Sequence, residues 1–284
     1  MKNRWKIMMV LMGCAGVVNA AYVTIGNTGN LDDTTGYGGV GYTYQISATE
    51  VTIAQMAASG AGDGGENYWN DGTRTVGTVA PACKVSLYEA MKYCNYLTSG
   101  NVNNGYYSDG GGGVWQANAL SHIDYATANG LTYFVPTEDE WYKAAYFDAS
   151  GANGYSLYAN GTGTVPTEGG GATGWTYNLV NSSPNYIRDV ALGTTEQNET
   201  VNMMGNIWEW MEDSSGVIRG GSYGVSETYL RSSARIDYTP SNEGLGTGFR
   251  PVEVVPEPAS AMMLLFGAGV GMIIHRLRRT AQRR

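Results

Sequence analysis

The residues best equipped for chemistry gather in one late stretch, GNIWEWMEDSSGVIRGGSYGVSETYLRSSARIDYTP, which begins at Gly205. It sets Glu209 between Trp208 and Trp210, adds the acids Glu212 and Asp213, and carries Arg219; Arg250 follows in GFRP. Together with Asp189, the acids could suggest paired-carboxylate hydrolysis, which needs two carboxyl groups held in a set geometry with pKa values pushed apart. No spacing here supplies that geometry, so Asp189, Glu212 and Asp213 read as solvated charges. The two tryptophans could stack a ligand, but anchoring the core of a loop-rich fold is the simpler role. Arg219 and Arg250 read as cross-braces, because a guanidinium fork satisfies several carbonyls and carboxylates at once. Thiol and imidazole chemistry has little material. Only Cys83 and Cys94 lie beyond the first 21 residues, none lies between Gly205 and Val255, and His122 is the one histidine before the C-terminal tail. A site built from several histidines is therefore excluded.

Three helices that could position these residues announce their own N-termini. Thr52 with Gln55, Ser86 with Glu89 and Thr137 with Glu140 each have the capping-box spacing, in which a hydroxyl and an acid or amide three residues on satisfy orphan N–H groups. Val51 and Met56 are placed as a hydrophobic staple on the first. Leu87, Ala90, Met91, Cys94 and Leu97 form an apolar face on the second, and Trp141, Ala144 and Ala145 continue the third. Short strands are expected at Val40–Ile46, Leu131–Val135, Val217–Arg219 and Gly248–Val252. Segments such as SGAGDGGENYWNDG and SDGGGGVW read as loops. The stretch Asn160–Asn181 has neither helical nor strand period, and so long a loop in a compact domain is functional, metal-tied or disordered. Gly, at 41 of 284 residues, is about twice its usual share, while 21 Tyr and 7 Trp supply bulk. No repeat and no βαβ unit is visible.

The two ends read as addresses rather than fold. Lys2, Arg4 and Lys6, the apolar run Ile7–Val18 and the small residues Asn19, Ala20 and Ala21 form a secretory signal peptide over residues 1–21. At the other end, residues 253–284 hold Pro256-Glu257-Pro258, an apolar run from Ala259 to Ile274, and Arg276, Arg278, Arg279, Arg283 and Arg284. The arginines should stay cytoplasmic, leaving the triplet on the far side of the membrane. This three-part tail resembles the PEP-CTERM sorting signal of Gram-negative bacteria, which implies an exosortase-type sorting enzyme as partner and a transient transmembrane span. From Tyr22 to Val255, 9 of 17 Lys and Arg remain against 24 of 25 Asp and Glu, a net charge near −15. Such a surface argues against nucleic acid and favours cations.

The order of the internal pieces, from YQISATEVTIAQM through VSLYEAMKYCNYL, FVPTEDEWYKAAY, NMMGNIWEW and VIRGGSY to GTGFR, is similar to the formylglycine-generating enzyme, or sulfatase-modifying factor, family. The resemblance implies an α+β class: one irregular mixed domain over residues 22–252, related to C-type lectin-like folds and low in regular secondary structure. Enzymes of the family oxidise a substrate cysteine with oxygen, using copper on two active-site cysteines; soft thiolates suit Cu(I). Those two positions fall near Val225 and Leu230, so the resemblance implies no copper and no catalytic residue here. It also implies a structural calcium held by the Asn202 side chain, the backbone of Gly205 and Ile207, and Glu209; hard oxygen donors of mixed origin suit Ca²⁺. The alternative is that Asn202 and Glu209 only cap and hydrogen-bond the turn. A second calcium site would draw on the region from Asn160 to Asp189. In disulfide-bonded relatives the partner of the cysteine at Cys94 comes from the segment near Ser232, which has none. A Cys83–Cys94 bridge would have to fold back along about 12 Å of helix, so Cys94 is expected as a buried free thiol.

The expectation is thus an exported, non-catalytic module, binding or structural, at the cell surface or in the extracellular matrix, with a glycan or a protein as the candidate ligand. The alternative is an enzyme with a different, cysteine-independent chemistry in the same groove. A closed apolar pocket beside Val225 and Leu230, or a polar one with convergent side chains, would separate the two.

Overall fold

The computed structural model describes residues 21–62, 79–150, 154–169, 173–179 and 187–256. Residues 1–20 of the expected signal peptide, the apolar run from Ala259 to Ile274 and the terminal arginines lie outside the described residues. Among those described, no helix is long and apolar enough to cross a membrane.

Two small four-stranded sheets frame the domain. The first has the order β1-β2-β10-β5, made of Tyr22–Ile25, Tyr44–Ser47, Val252–Val254 and Thr132–Phe134, all antiparallel. The second has the order β8-β7-β6-β9, from Ile236–Asp237, Val217–Arg219, Trp208–Met211 and Thr247–Gly248, with β6 and β9 parallel. A hairpin of β3 (Tyr107–Asp109) and β4 (Trp115–Ala117) stands apart. Four helices complete the frame: α1 (Ile53–Ser59), α2 (Leu87–Ser99), α3 (His122–Asn129) and α4 (Glu138–Tyr146).

The capping boxes at Thr52, Ser86 and Thr137 are all formed, each with its hydroxyl accepting from the third helical N–H and the Gln or Glu answering back. Both α1 and α2 stop at a glycine in the left-handed region, Gly60 at φ +66° and Gly100 at φ +74°, where a side chain would be strained. Helix α3 starts at Ser121, whose hydroxyl accepts from the Asp124 N–H. The expected strand over Gly248–Val252 is two strands: at the Phe249–Pro251 junction the chain leaves the second sheet and joins the first, with Phe249 and Pro251 carbonyls accepting from Val51 and Ser47. The expected Val40–Ile46 strand begins only at Tyr44. In the long stretch after Asn160 the described residues hold isolated bridges, Tyr158 with Thr162 and Glu168 with Trp175, and no regular element. One main core runs between sheets and helices, with Trp141, Trp210, Phe134 and Phe249 fully buried.

Candidate functional site

The groove where the chemistry would sit is built on the turn that follows β7. Gly220 and Gly221 carry the chain at φ +91° and +78°, and any side chain at Gly221 would meet Leu230 at 2.7 Å. Backbone bonds tie the loop beyond: Tyr223 donates to Asn206, Asn178 to Val225 and Leu179 to Tyr223. It ends in one 3-10 turn, Glu227–Leu230. Leu230 is fully buried and Val225 half-buried.

Beside them lies an open groove of about 680 Å³, walled by Trp208, Tyr223, Val225, Tyr229, Tyr238 and Leu245. Trp208 and Tyr229 meet edge to face at 5.8 Å, and Tyr229 is 40% exposed. The remaining lining residues add only the hydroxyls of Ser222 and Thr247; among the described residues no Cys, His, Asp, Glu, Lys or Arg lines the groove. The reading of both tryptophans as core anchors therefore divides. Trp210 is buried and donates its indole N–H to the Val85 carbonyl at 2.7 Å, whereas Trp208 is half-buried and faces the groove. Their alternation along β6 follows from the period of a strand.

Glu209, between them, points into the frame. Arg250 donates through Nε and Nη2 to both its oxygens at 2.7–3.0 Å, and the Trp141 indole donates to it at 2.7 Å. The rest of the Arg250 fork ties the carbonyls of Ser47, Ala48 and Val201. Arg219 does the same work elsewhere, pairing with Glu138 at 2.6 Å, donating to Ser232 and Ala234 carbonyls, and lying 4.7 Å from the Tyr37 ring centre. Both arginines are braces, as their motifs suggested.

Asn202 and Glu209 from the calcium set are both buried, and their surroundings bear on the fit. The Asn202 amide donates to Glu50 at 3.4 Å and to the Val190 carbonyl at 3.3 Å, and Asn206 donates to Glu50 at 2.8 Å. Burial raises the Glu50 carboxyl to about 8 against the pull of Arg250, with Glu209 pushing it further up. Burial likewise raises Glu196, which accepts from Trp175, Thr200 and two backbone N–H groups. Three buried carboxyl groups thus share one guanidinium, which pairs directly with Glu209 alone, and burial favours the neutral form of the other two. Glu209 already serves Arg250, so an ion there would share its oxygens with a cation. No cluster of three or more His, Cys, Asp or Glu side chains with metal-holding geometry occurs among the described residues.

Cys83 and Cys94 are free and buried. Burial first, then Glu50 near Cys83 and Glu212 near Cys94, pushes both thiols well above their usual range, so neither offers a thiolate. Glu212 is not the solvated charge its position suggested. It accepts from the Tyr107 hydroxyl and sits 3.0 Å from His122 Nε2, while Glu140 lies 3.0 Å from Nδ1. Tyr42 also donates to Glu140, at 2.6 Å, and the His122 ring stacks on Phe134 at 3.9 Å. Burial alone would lower the imidazole pKa, but the two carboxylates raise it to about 10. Asp213 instead caps the Ser215 turn and lies 3.6 Å from Arg235, and Asp189 is half-buried on a turn closed by Leu192. No pair of these acids converges on the groove.

The fold and site define an irregular mixed α/β domain whose frame is intact around a groove without ionisable acids, bases or thiols. The Sulfatase-modifying factor enzyme 1-like domain matches residues 39–255. The chain belongs to that family. Among solved structures it is similar to Treponema denticola variable protein 1, with 21% identity, 81% of this chain and 94% of that one covered, and a TM-score of 0.56. It is also similar to the crystal structure of CarF, with 22% identity, 85% and 100% covered, and a TM-score of 0.54. At these identities the likeness concerns the fold. No curated protein sequence matches the chain.

Proposed function

We propose that the protein is an exported, non-catalytic binding module whose site is the aromatic groove beside Val225 and Leu230. The observation that carries this reading is the lining: four aromatic side chains, two hydroxyls and no acid, base or thiol other than phenols. Aromatic faces with a few hydroxyls suit neutral ligands that present flat apolar surfaces and edge hydroxyls. The pyranose rings of an extracellular glycan fit that description, and a protein surface is the competing occupant. The alternative, cysteine-independent catalysis in the same groove, would need a group able to carry a proton at neutral pH, and among the described lining residues there is no acid, amine, imidazole or thiol to do so.

Export rests on the pattern of residues 1–21, and release at the cell surface or into the matrix by an exosortase-type enzyme rests on residues 253–284. Calcium at Asn202, Gly205, Ile207 and Glu209 is a further proposal, supported by the gathering of the buried Glu50, Glu196 and Glu209 carboxyl groups about a single guanidinium; it requires Glu209 to bridge the ion and Arg250.

The groove is tested by glycan-array binding and protein pull-down with the purified protein and with Trp208→Ala and Tyr229→Ala. Loss of glycan binding in both variants, with unfolding midpoints near wild type, is the expected result. Glycan binding that persists in the double variant removes the groove from the proposal, and capture of a protein alone replaces the glycan.

A further inference from the structure

A second cavity lies between the first sheet and helices α1 and α2, at the edge of the core, whose Val51 and Tyr93 help to line it. Along β10, Val252 and Val254 are buried in the core, so the strand period turns Glu253 to the other face. There Glu253 is paired across the ladder with Gln45 and Tyr133. Helices α1 and α2 close over this face and leave a cavity of about 560 Å³, within the roughly 300–1,000 Å³ typical of small-molecule sites.

Its lining is unlike that of the groove. Four tyrosines contribute from three elements: Tyr22 on β1, Tyr93 and Tyr96 on α2, and Tyr133 on β5. Tyr22 and Tyr133 pack edge to face at 5.8 Å, and Tyr93 and Tyr96 lie 6.4 Å apart. Among the described residues Glu253 is the one charged residue in the lining, and no Lys, Arg or His lines it. It forms no ion pair among the described residues; its recorded partner is the Tyr133 hydroxyl. Burial raises the Glu253 carboxyl above the usual range, as expected for a half-buried acid without a cation.

We propose that this cavity binds an organic ammonium group, its charge balanced by Glu253 and its carbon shell held against the rings of Tyr22, Tyr93, Tyr96 and Tyr133. Ring faces carry negative quadrupole density that attracts a cation, and an alkylated ammonium is poorly hydrated enough to leave water for them. A bare metal ion would meet one carboxylate and phenols, too few hard oxygens to replace its hydration. The acidic surface of the exported part raises the local concentration of any such cation. Two sources share this chemistry: a free quaternary ammonium compound of the choline type, and the side chain of a lysine presented by a peptide. The proposal is independent of the groove, which shares no lining residue with this cavity.

The test uses the full chain and three probes at constant ionic strength: choline, its neutral carbon isostere, and a blocked lysine derivative. Binding is read by calorimetry and by the upfield ring-current shift of the probe's methyl or methylene protons. The expected result is that a cationic probe saturates, that the neutral isostere binds at least about tenfold more weakly, and that Glu253→Gln brings the cation down to the same level. Tyr96→Ala, which removes a half-buried ring at the rim, should weaken binding and abolish part of the shift while leaving unfolding unchanged; it decides the matter if Glu253→Gln does not fold. Preference for choline assigns a small quaternary ammonium and preference for lysine assigns a protein partner. Equal binding of the neutral isostere, or no saturation by either cation, overturns the proposal.

Discussion

Removing the His122 side chain should destabilise the domain more than any surface substitution. The imidazole is 2% exposed and sits between Glu140, fully buried, and Glu212, each 3.0 Å from a ring nitrogen. His122→Gln keeps a similar shape but leaves two carboxylates facing one another without a cation. Taking one partner from a buried ion pair costs about 3–5 kcal/mol. At about 2–4 °C per kcal/mol for a domain of this size, the midpoint should fall by roughly 10 °C. The companion Glu140→Gln isolates the electrostatic part, since Gln at the third helical position still answers the Thr137 N–H and preserves the capping box. The double variant should regain part of the loss, because the uncompensated charge that made His122→Gln costly is gone.

The pH dependence gives a second reading of the same network. His122 is raised from its ordinary 6.5 to about 10, so the stability it contributes is fully present below about pH 6.5 and is lost as pH rises through about 10. Lys143 acts in the opposite sense. Burial lowers it to about 8, so its contribution improves with pH from about 8 to its unfolded value of 10.5. The informative quantity is therefore the difference between wild type and His122→Gln, measured by thermal unfolding at pH 7 and at pH 10.5. The gap should be wide at neutral pH and narrow at the alkaline end, where wild type loses its own cation. A midpoint within about 2 °C of wild type at pH 7, below the shift expected for 1 kcal/mol, would refute the buried-pair reasoning.

Both thiols, buried and raised in pKa, should resist a thiol reagent in the native protein and react on denaturation, as two equivalents besides any from Cys14; fast native labelling of Cys83 or Cys94 would contradict their burial. Calcium should raise the unfolding midpoint over EDTA in wild type and fail to do so in Asn202→Ala; Glu209→Ala is the wrong probe because it also strips Arg250 of its partner. No shift in wild type removes calcium. With aliphatic residues at Val225 and Leu230, the protein should neither hold stoichiometric Cu(I) nor convert a sulfatase peptide to formylglycine, and copper retained on dialysis would sink that expectation. Pro256→Ala with Pro258→Ala should leave insertion intact but trap uncleaved protein in the inner membrane; mass spectrometry finding Arg276–Arg284 on surface protein would make the tail a permanent anchor.

What could be read from residue order was local. The three capping boxes fix where α1, α2 and α4 begin because their hydrogen bonds close within four residues. Helix α3 escaped because Asp124, not Glu or Gln, follows its Ser121 cap by three. The division of Gly248–Val252 between two sheets depends on Ser47 and Val51, some 200 residues away, and no periodicity reports that. The same limit hid the His122 network, whose carboxylates lie 18 and 90 positions away. Glu212 looked solvated because its neighbours in sequence are Asp213 and Ser214, while its neighbours in space are Tyr107 and His122. The tyrosine cavity was invisible for the same reason, its four rings coming from β1, α2 and β5. The groove was partly legible, since the family motif located Val225 and Leu230, but the exposed face of Trp208 depended on which way β6 turned.

The charges that hold this domain together and the residues that line its groove are different sets. Arg250 with Glu209, Arg219 with Glu138, and His122 with Glu140 and Glu212 all tie one frame element to another, and none lines the groove. The groove loop itself is held by backbone bonds from Asn178, Leu179 and Tyr223, and Tyr146 donates to the Leu230 carbonyl rather than to its side chain. A backbone anchor is indifferent to which side chain follows the Cα, so the side chain at Val225 can change without disturbing the loop. Leu230 is less free, because Gly221 packs close against it and a polar side chain there would be buried among apolar atoms. Substitutions at Val225, Tyr229 and Leu245 should accordingly change what the groove holds while leaving the unfolding midpoint in place, whereas polar changes at Leu230 should lower it. That separation of frame from lining is the physical condition under which one fold can keep its architecture and exchange its chemistry for recognition.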